Sequence, residues 1–225
     1  MVNVAIIPAR AGSKRIINKN RKRINGDSLV ERTYKFAKKI NFLDDIIVST
    51  DDPKILKTFK KKKDPNVTLF KRPKKFALTT SVNLEQAVLD IINKYEKTKS
   101  KITSVLLLHP TSPFRSKSKI YYGFSKFNNY KMKKSVISVS YTNHTNKRKF
   151  LIKNKMLKLS KNNSEKVKNF QINGNFYIAS KIFLNKNKSF FRENNSFPVI
   201  LNSKKLSLDI DTMKDLKKAR SYFKN

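Results

Sequence analysis

Short apolar runs recurring between amphipathic stretches constrain this chain more than any other feature. Residues 2–7 (V-N-V-A-I-I) read as a buried strand that Pro8 ends. Similar runs return at 45–49 (D-I-I-V-S), 66–70 (N-V-T-L-F), 102–108 (I-T-S-V-L-L-L) and 135–140 (S-V-I-S-V-S). Helical periods lie between them: Leu29, Tyr34, Phe36, Ala37 and Ile40; then Ile55, Leu56 and Phe59; then Leu84, Val88, Ile91, Ile92 and Tyr95 in a helix from about Ser81. A further helix is expected near 117–128. Alternating strands and helices predict a mostly parallel central sheet with helices on both faces, a three-layer, Rossmann-like α/β fold with right-handed crossovers.

Boundary signals agree with this pattern. Ser28 with Glu31, and Thr212 with Asp215, have the spacing of capping boxes. Asp51-Asp52-Pro53 places aspartates near a helix N-terminus and proline near its first position. From Tyr141 to Phe170 the pattern weakens and polar residues dominate. The stretch F-L-I-K-N-K-M-L-K-L suggests a hairpin there, an excursion from the sheet. Strand-like patterns resume at 171–179 and 197–201, before a last helix with Leu216, Ala219 and Phe223 inward. The 225 residues are expected to form a single domain over 1–225, with the excursion at about 141–170.

Charge bears on partners. The formal net charge is +37, from 52 lysines and arginines against 15 acids. Such a surface gathers phosphates, so a nucleic-acid partner must be weighed. Only ten of the cations are arginines, however, and the lysines are scattered along the chain. Specific readers of nucleic acid recruit the forked guanidinium, so nucleic acid is not expected as the main partner. On either account the field should draw in anionic substrates. No run approaches the roughly 20 apolar residues of a membrane span, and no signal peptide is read at the N-terminus. Cysteine is absent, which excludes disulfides and thiolate metal sites and fits the cytoplasm.

Ligands of open parallel sheets bind beyond the carboxyl ends of the strands. The loop after the first strand carries Arg10, Lys14, Arg15 and Lys19 around Gly12, which permits a sharp turn with N–H groups aimed at an anion. A triphosphate would suit it; a solvated basic loop is the alternative. Neither the dinucleotide nor the P-loop glycine pattern is present. Asp209 and Asp211 flank Ile210, so strand-like alternation would put both carboxylates on one face, a seat for Mg²⁺. Alternatively, one of them caps the following helix.

Six stretches carry a family resemblance. I-I-P-A-R-A-G-S-K-R-I-I-N-K-N resembles the nucleotide loop of the acylneuraminate cytidylyltransferases, which link CMP to nine-carbon acidic sugars. I-I-V-S-T-D-D-P, F-K-R-P-K-K-F-A, L-L-L-H-P-T-S-P-F-R, Q-I-N-G-N-F-Y-I and S-L-D-I-D-T-M-K-D-L are similar to further segments of that family, in family order. The resemblance implies a nucleotidyltransferase fold and a homodimer, the 141–170 excursion serving dimerisation and the neighbouring sugar pocket. It implies CTP and an acidic nonulosonate (sialic, legionaminic or pseudaminic) as substrates, with Mg²⁺, and release of pyrophosphate. By the same resemblance Arg10, Ser13, Lys19 and Asn20 fall on nucleotide-binding positions. Arg72 falls on the position facing the cytosine edge, with Thr80 or Ser81 beside it, and His109, Asn173 and Tyr177 fall on the sugar side. Lys19, Asp209 and Asp211 are the expected catalytic set. Taken alone, Arg72 could be a surface ion pair, Tyr177 core filling and His109 a structural histidine.

Several positions depart from the family pattern: Ala11, Arg15 and Ile17 in the first loop, Asp27 after the turn glycine, and His109 where the family has glutamine. A histidine there should be sensitive to protonation. Two competing readings are a cytidylyltransferase for 3-deoxy-manno-octulosonate, with the same fold and metal chemistry, and a non-catalytic nucleic-acid-binding protein.

Overall fold

The computed structural model describes residues 1–73, 84–142, 148–160 and 168–223. Its main sheet contains β1 (Val2–Pro8), β4 (Asp45–Thr50), β5 (Val67–Lys71), β6 (Ile102–Leu107), β7 (Ser135–Tyr141), β10 (Phe170–Ser180) and β11 (Ser196–Ile200). β2 (Arg23–Ile24) and β3 (Asp27–Ser28) form a separate small ladder. The hairpin of β8 (Phe150–Lys153) and β9 (Met156–Leu159) joins the main sheet through Phe150, opposite Phe170 of β10.

The spatial order is β11-β7-β10-β6-β1-β4-β5. β4, β1, β6 and β5 run parallel, as do β11 and β7, whereas β10 is antiparallel to both β6 and β7. Each expected strand is present to within a residue or two. The sheet is mostly parallel, as the alternation predicts, and the reversed β10 has a consequence for the site: its N-terminal half lies at the edge where β1, β4, β5 and β6 end.

Strand alternation divides the core into two layers. Ala5, Ile7, Ile46, Val48 and Leu106 pack with Val30, Tyr34, Ile55, Phe59, Ile120 and Phe127. The latter come from α1 (Leu29–Ala37), α2 (Pro53–Lys62) and α4 (Lys117–Asn129). On the other face Val4, Ile6, Ile47 and Leu107 pack with Val88, Ile91 and Ile92 of α3 (Leu84–Thr98) and with Phe183 and Leu184 of α5 (Lys181–Asn187). Residues one apart in β1 thus feed opposite layers, as a period of two requires.

The helix starts follow their sequence signals. Ser28 and Glu31 form a complete capping box on α1; Thr212 and Asp215 do the same on α6 (Met213–Ser221). Asp52 caps α2, whose first residue is Pro53. Each cap is worth about 0.5–2 kcal/mol.

A third cluster positions the chemistry. Ile16 of the first loop, Ile210 beside α6, and Phe114 of the loop after β6 pack together with Leu29, Leu216 and Ala219. Ile210 is fully buried and its N–H donates to the carbonyl of Thr111 at 2.8 Å. Truncating a buried isoleucine to alanine costs about 2–5 kcal/mol, so this cluster holds three distant segments in one arrangement.

Candidate active site

The loop after β1 is folded by its own polar residues. Gly12 takes a positive φ of 72°, which glycine adopts without strain. Ala11 N–H donates to Asp51 Oδ1 at 2.7 Å, and Asn20 Nδ2 donates to the carbonyl of Arg10 at 2.9 Å. Asn20 is buried. Its amide braces the loop. Arg10 and Ser13 are half-buried, and Lys14 and Arg15 project outward.

Lys19 leaves this loop to meet the C-terminal segment. Its Nζ donates to the carbonyl of Ile210 at 2.8 Å and to Asp211 Oδ1 at 3.0 Å. Arg15 Nη2 lies 3.2 Å from the same carboxylate oxygen. Residues 191 positions apart in the chain, Lys19 and Ile210, therefore touch. Asp211 does not cap α6, since Thr212 and Asp215 perform that task. Residues 208–211 are irregular, not a strand, yet Ile210 points into the core while Asp209 and Asp211 line one cleft.

That cleft, about 690 Å³, runs from the two aspartates to His109, Asn173, Gly174 and Tyr177. Its far wall is β10. Between Ile172 and Tyr177 the pairing of β10 with β7 slips. Gly174 sits in the slip at φ 74°, where a Cβ would lie 3.5 Å from His109 Nδ1. Asn173 Oδ1 accepts from Ser138 Oγ at 2.7 Å and from Asn175 N–H at 3.1 Å, which fixes the amide. Four buried polar atoms of residues lining the cleft lack a protein partner: His109 Nε2, Ser140 Oγ, Gln171 Oε1 and Asn173 Nδ2. A buried polar group without a partner costs about 1–3 kcal/mol, so this part of the cleft carries an unusual concentration of unpaired polar atoms.

His109 and Tyr177 face each other with ring centroids 5.6 Å apart, and Tyr177 also packs on Phe190 at 5.4 Å. Tyr177 thus contributes to the core and to the cleft together. Burial, with the charges of Glu85 and Asp209, pushes its hydroxyl above the usual range, so it stays protonated as a donor. Burial and the nearby Arg115 charge push His109 down to about 4. The imidazole is therefore neutral near neutrality, and the sensitivity to protonation expected from sequence moves into the acid range. Its free Nε2 also sets it apart from a histidine whose hydrogen bonds are spent on backbone.

Arg72 follows β5 and is only 9% exposed. Its backbone N–H donates to Thr50 O at 2.9 Å. Burial holds its guanidinium below the ordinary value; Asp51 opposes that shift and Arg10 adds to it. Nε has no partner. The residue is thus a buried arginine beside the first loop, not a surface ion pair. Thr80 and Ser81 lie outside the described residues, as do His144 and Lys147 of the excursion.

Sequence reasoning missed Arg115, which ends the quoted L-L-L-H-P-T-S-P-F-R stretch but received no role. It also missed Gln171, whose position two residues before Asn173 placed it on the same strand face.

The two carboxylates satisfy part of a metal's needs. Among the described residues no group of three or more His, Cys, Asp or Glu side chains could hold a metal. Asp209 and Asp211 with phosphate oxygens match the coordination Mg²⁺ prefers, one or two carboxylates plus substrate.

The sheet order, the reversed sixth strand and the cleft beyond the strand ends define a nucleotidyltransferase fold. A cytidylyltransferase family model matches residues 4–225, and the chain belongs to that family. The chain is 32% identical to a CMP-N,N'-diacetyllegionaminic acid synthase of Legionella pneumophila over 93% of this chain and 90% of that one. It is 25% identical to a pseudaminic acid cytidylyltransferase of Campylobacter jejuni over 100% and 97% of the two chains. A CMP:2-keto-3-deoxy-manno-octonic acid synthetase solved with CTP shares the fold, with a TM-score of 0.75, 14% identity and coverage of 99% and 98%.

Proposed function

We propose that this cytidylyltransferase activates a nine-carbon acidic sugar, joining its anomeric hydroxyl to the α-phosphate of CTP and releasing pyrophosphate. The observation that carries the proposal is the meeting of Lys19 with Asp211 beside Asp209, on the cleft whose opposite end has unsatisfied polar atoms. In the named relatives the sugars are legionaminic and pseudaminic acids.

In this reading the sugar oxygen forms a bond to the α-phosphorus, the bond to the β-phosphate bridging oxygen breaks, and the hydroxyl proton leaves to solvent. No protein nucleophile is needed, so the chain's work is positioning and neutralisation. Lys19 and Arg15 turn from Asp211 toward the triphosphate, joined by Arg10 and Ser13. Arg72 offers its donors to the cytosine carbonyl and ring nitrogen. His109, Asn173 and Tyr177 bond the sugar hydroxyls and pack on its tail. Asp209 and Asp211 would hold Mg²⁺, which supplies charge neutralisation for the triphosphate and the departing pyrophosphate. We further propose a cytoplasmic homodimer with the 141–170 excursion at its interface. Among the described residues no helix is long and apolar enough to cross a membrane.

The test is pyrophosphate release with CTP, Mg²⁺ and a panel of legionaminic, pseudaminic, sialic and 3-deoxy-manno-octulosonic acids. Turnover with a nine-carbon acid is expected. Preference for the octulosonic acid, or none with any acid, would overturn the proposal.

A further inference from the structure

Arg115 lies beside the sugar end of the cleft and bonds two of the segments that line it, the loop after β6 and β10, together with α1. Its Nη2 donates to the carbonyl of His109, Nε to the carbonyl of Asn175 at 3.3 Å, and Nη1 to Thr33 Oγ1 at 3.3 Å. His109 belongs to the loop after β6, Asn175 to the irregular part of β10, and Thr33 to α1. Thr33 Oγ1 is itself spent on the carbonyl of Leu29 at 2.9 Å, so it is oriented to accept from the guanidinium. Asn175 is buried and ties the same region down, its Nδ2 donating to the carbonyls of Phe114 at 2.7 Å and Leu206 at 2.8 Å.

We propose that Arg115 is a positioning residue: its fork sets the distance between His109 and the Asn173–Asn175 wall. The fork geometry fits the task. Three donors of one rigid plane reach three separate segments, which the single pivot of a lysine cannot reproduce. Gly174 precedes Asn175, whose carbonyl Arg115 grips, and a Cβ added to it would lie 3.5 Å from His109 Nδ1. Burial, then repulsion from Arg32, pulls the guanidinium down to about 9, with Asp209 opposing. It is still charged at neutral pH. Burial first, with this charge adding to it, keeps the His109 ring neutral.

The inference rests on the cytidylyltransferase reading for its kinetic test, and has a second readout that does not. In Arg115→Lys the charge remains and the fork is lost. KM for the acid that wild type turns over fastest should rise about tenfold, the worth of one charge-assisted hydrogen bond, with KM for CTP within twofold. In Arg115→Met, kcat should also fall. The chain has two histidines, so ring titration by NMR resolves them: the low-titrating signal should persist in the lysine variant and move toward 6.5 in the methionine variant. A purely structural arginine would lower the melting temperature and move both KM values together. That outcome, or unchanged KM values and an unmoved histidine titration, would overturn the proposal. Absence of turnover in wild type would instead strike the substrate reading, leaving the histidine titration to decide the role of Arg115. If the methionine variant does not fold, the lysine variant alone decides.

Discussion

At the residue scale, Asp211 is the junction between the two ends of the chain. Its side chain is 40% exposed, so its ion pairs with Lys19 and Arg15 contribute about 0–1 kcal/mol to folding. Asp211→Asn should therefore fold normally and lose turnover by about 100-fold or more. Near-normal rates would remove Asp211 from the metal seat. Arg72→Ala should raise the CTP constant about tenfold, with a smaller effect on the melting temperature; an unchanged constant would count against the base contact. His109 adds a pH argument. A folded value near 4 lies below the ordinary 6.5, so the unfolded chain binds more protons between them and stability falls as pH drops through that window. His109→Gln removes the liability. Its melting temperature should exceed that of wild type at pH 5 by more than at pH 8, and an equal difference at both would show that the ring's titration is irrelevant. The family resemblance grouped Lys19, Asp209, Asp211, His109, Asn173 and Tyr177 as site residues; the last five line one cleft, and Lys19 reaches it through Asp211. What spacing could not show was that Asn20 turns back on Arg10, or that Arg115 grips three segments, because both depend on where a side chain finds its partner in space.

At the scale of elements, strand and helix positions were readable because burial on one or both faces imposes periods of 2 and 3.6 on the residues themselves. Direction leaves no such mark. The apolar spacing of β10 would be the same whether it ran with or against β6, and only its neighbours in the sheet make it antiparallel. That reversal matters, because it carries Asn173 and Gly174 to the edge where the first loop and His109 already stand. The slip in β10 depends on Gly174 at φ 74°. Alanine there finds ordinary contact with His109 Nδ1 at 3.5 Å, so its cost is set by the backbone, about 1–2 kcal/mol. Gly174→Ala should lower stability by that amount and raise the KM of the acidic sugar, with the CTP constant little changed. A stability equal to wild type would mean that the left-handed turn is not required.

At the scale of the whole molecule, a net charge of +37 opposes compaction, and the few acids are set against it individually. Asp64 is drawn to about 2 by hydrogen bonds from Lys38 and Tyr34. Burial alone would raise Asp45, but Lys99, Thr68 and Tyr95 donate to it and hold it below its ordinary value. Because both folded values are depressed, their stabilisation is present above the unfolded values near 4 and is lost as pH falls through the folded ones, about 2 for Asp64. Loss of the 15 acidic charges then leaves the 52 cations unopposed. Salt distinguishes the two kinds of electrostatics. Repulsion among exposed lysines is spread over long separations, which salt screens once they exceed the Debye length of about 10 Å at 0.1 M, whereas the Asp45 and Asp64 contacts are short, at 2.6–2.8 Å, between buried carboxylates and lysines that are 42–47% exposed, and are screened less. Raising sodium chloride from about 50 to 500 mM, the range over which the screening length contracts most usefully, should therefore raise the melting temperature at pH 7 and shift acid unfolding to lower pH. The same screening weakens attraction of a tetra-anionic nucleotide, so the KM for CTP should rise several-fold while kcat stays nearly constant. A melting temperature that falls with salt would mean that the contact pairs, not the diffuse repulsion, dominate the charge balance of this fold.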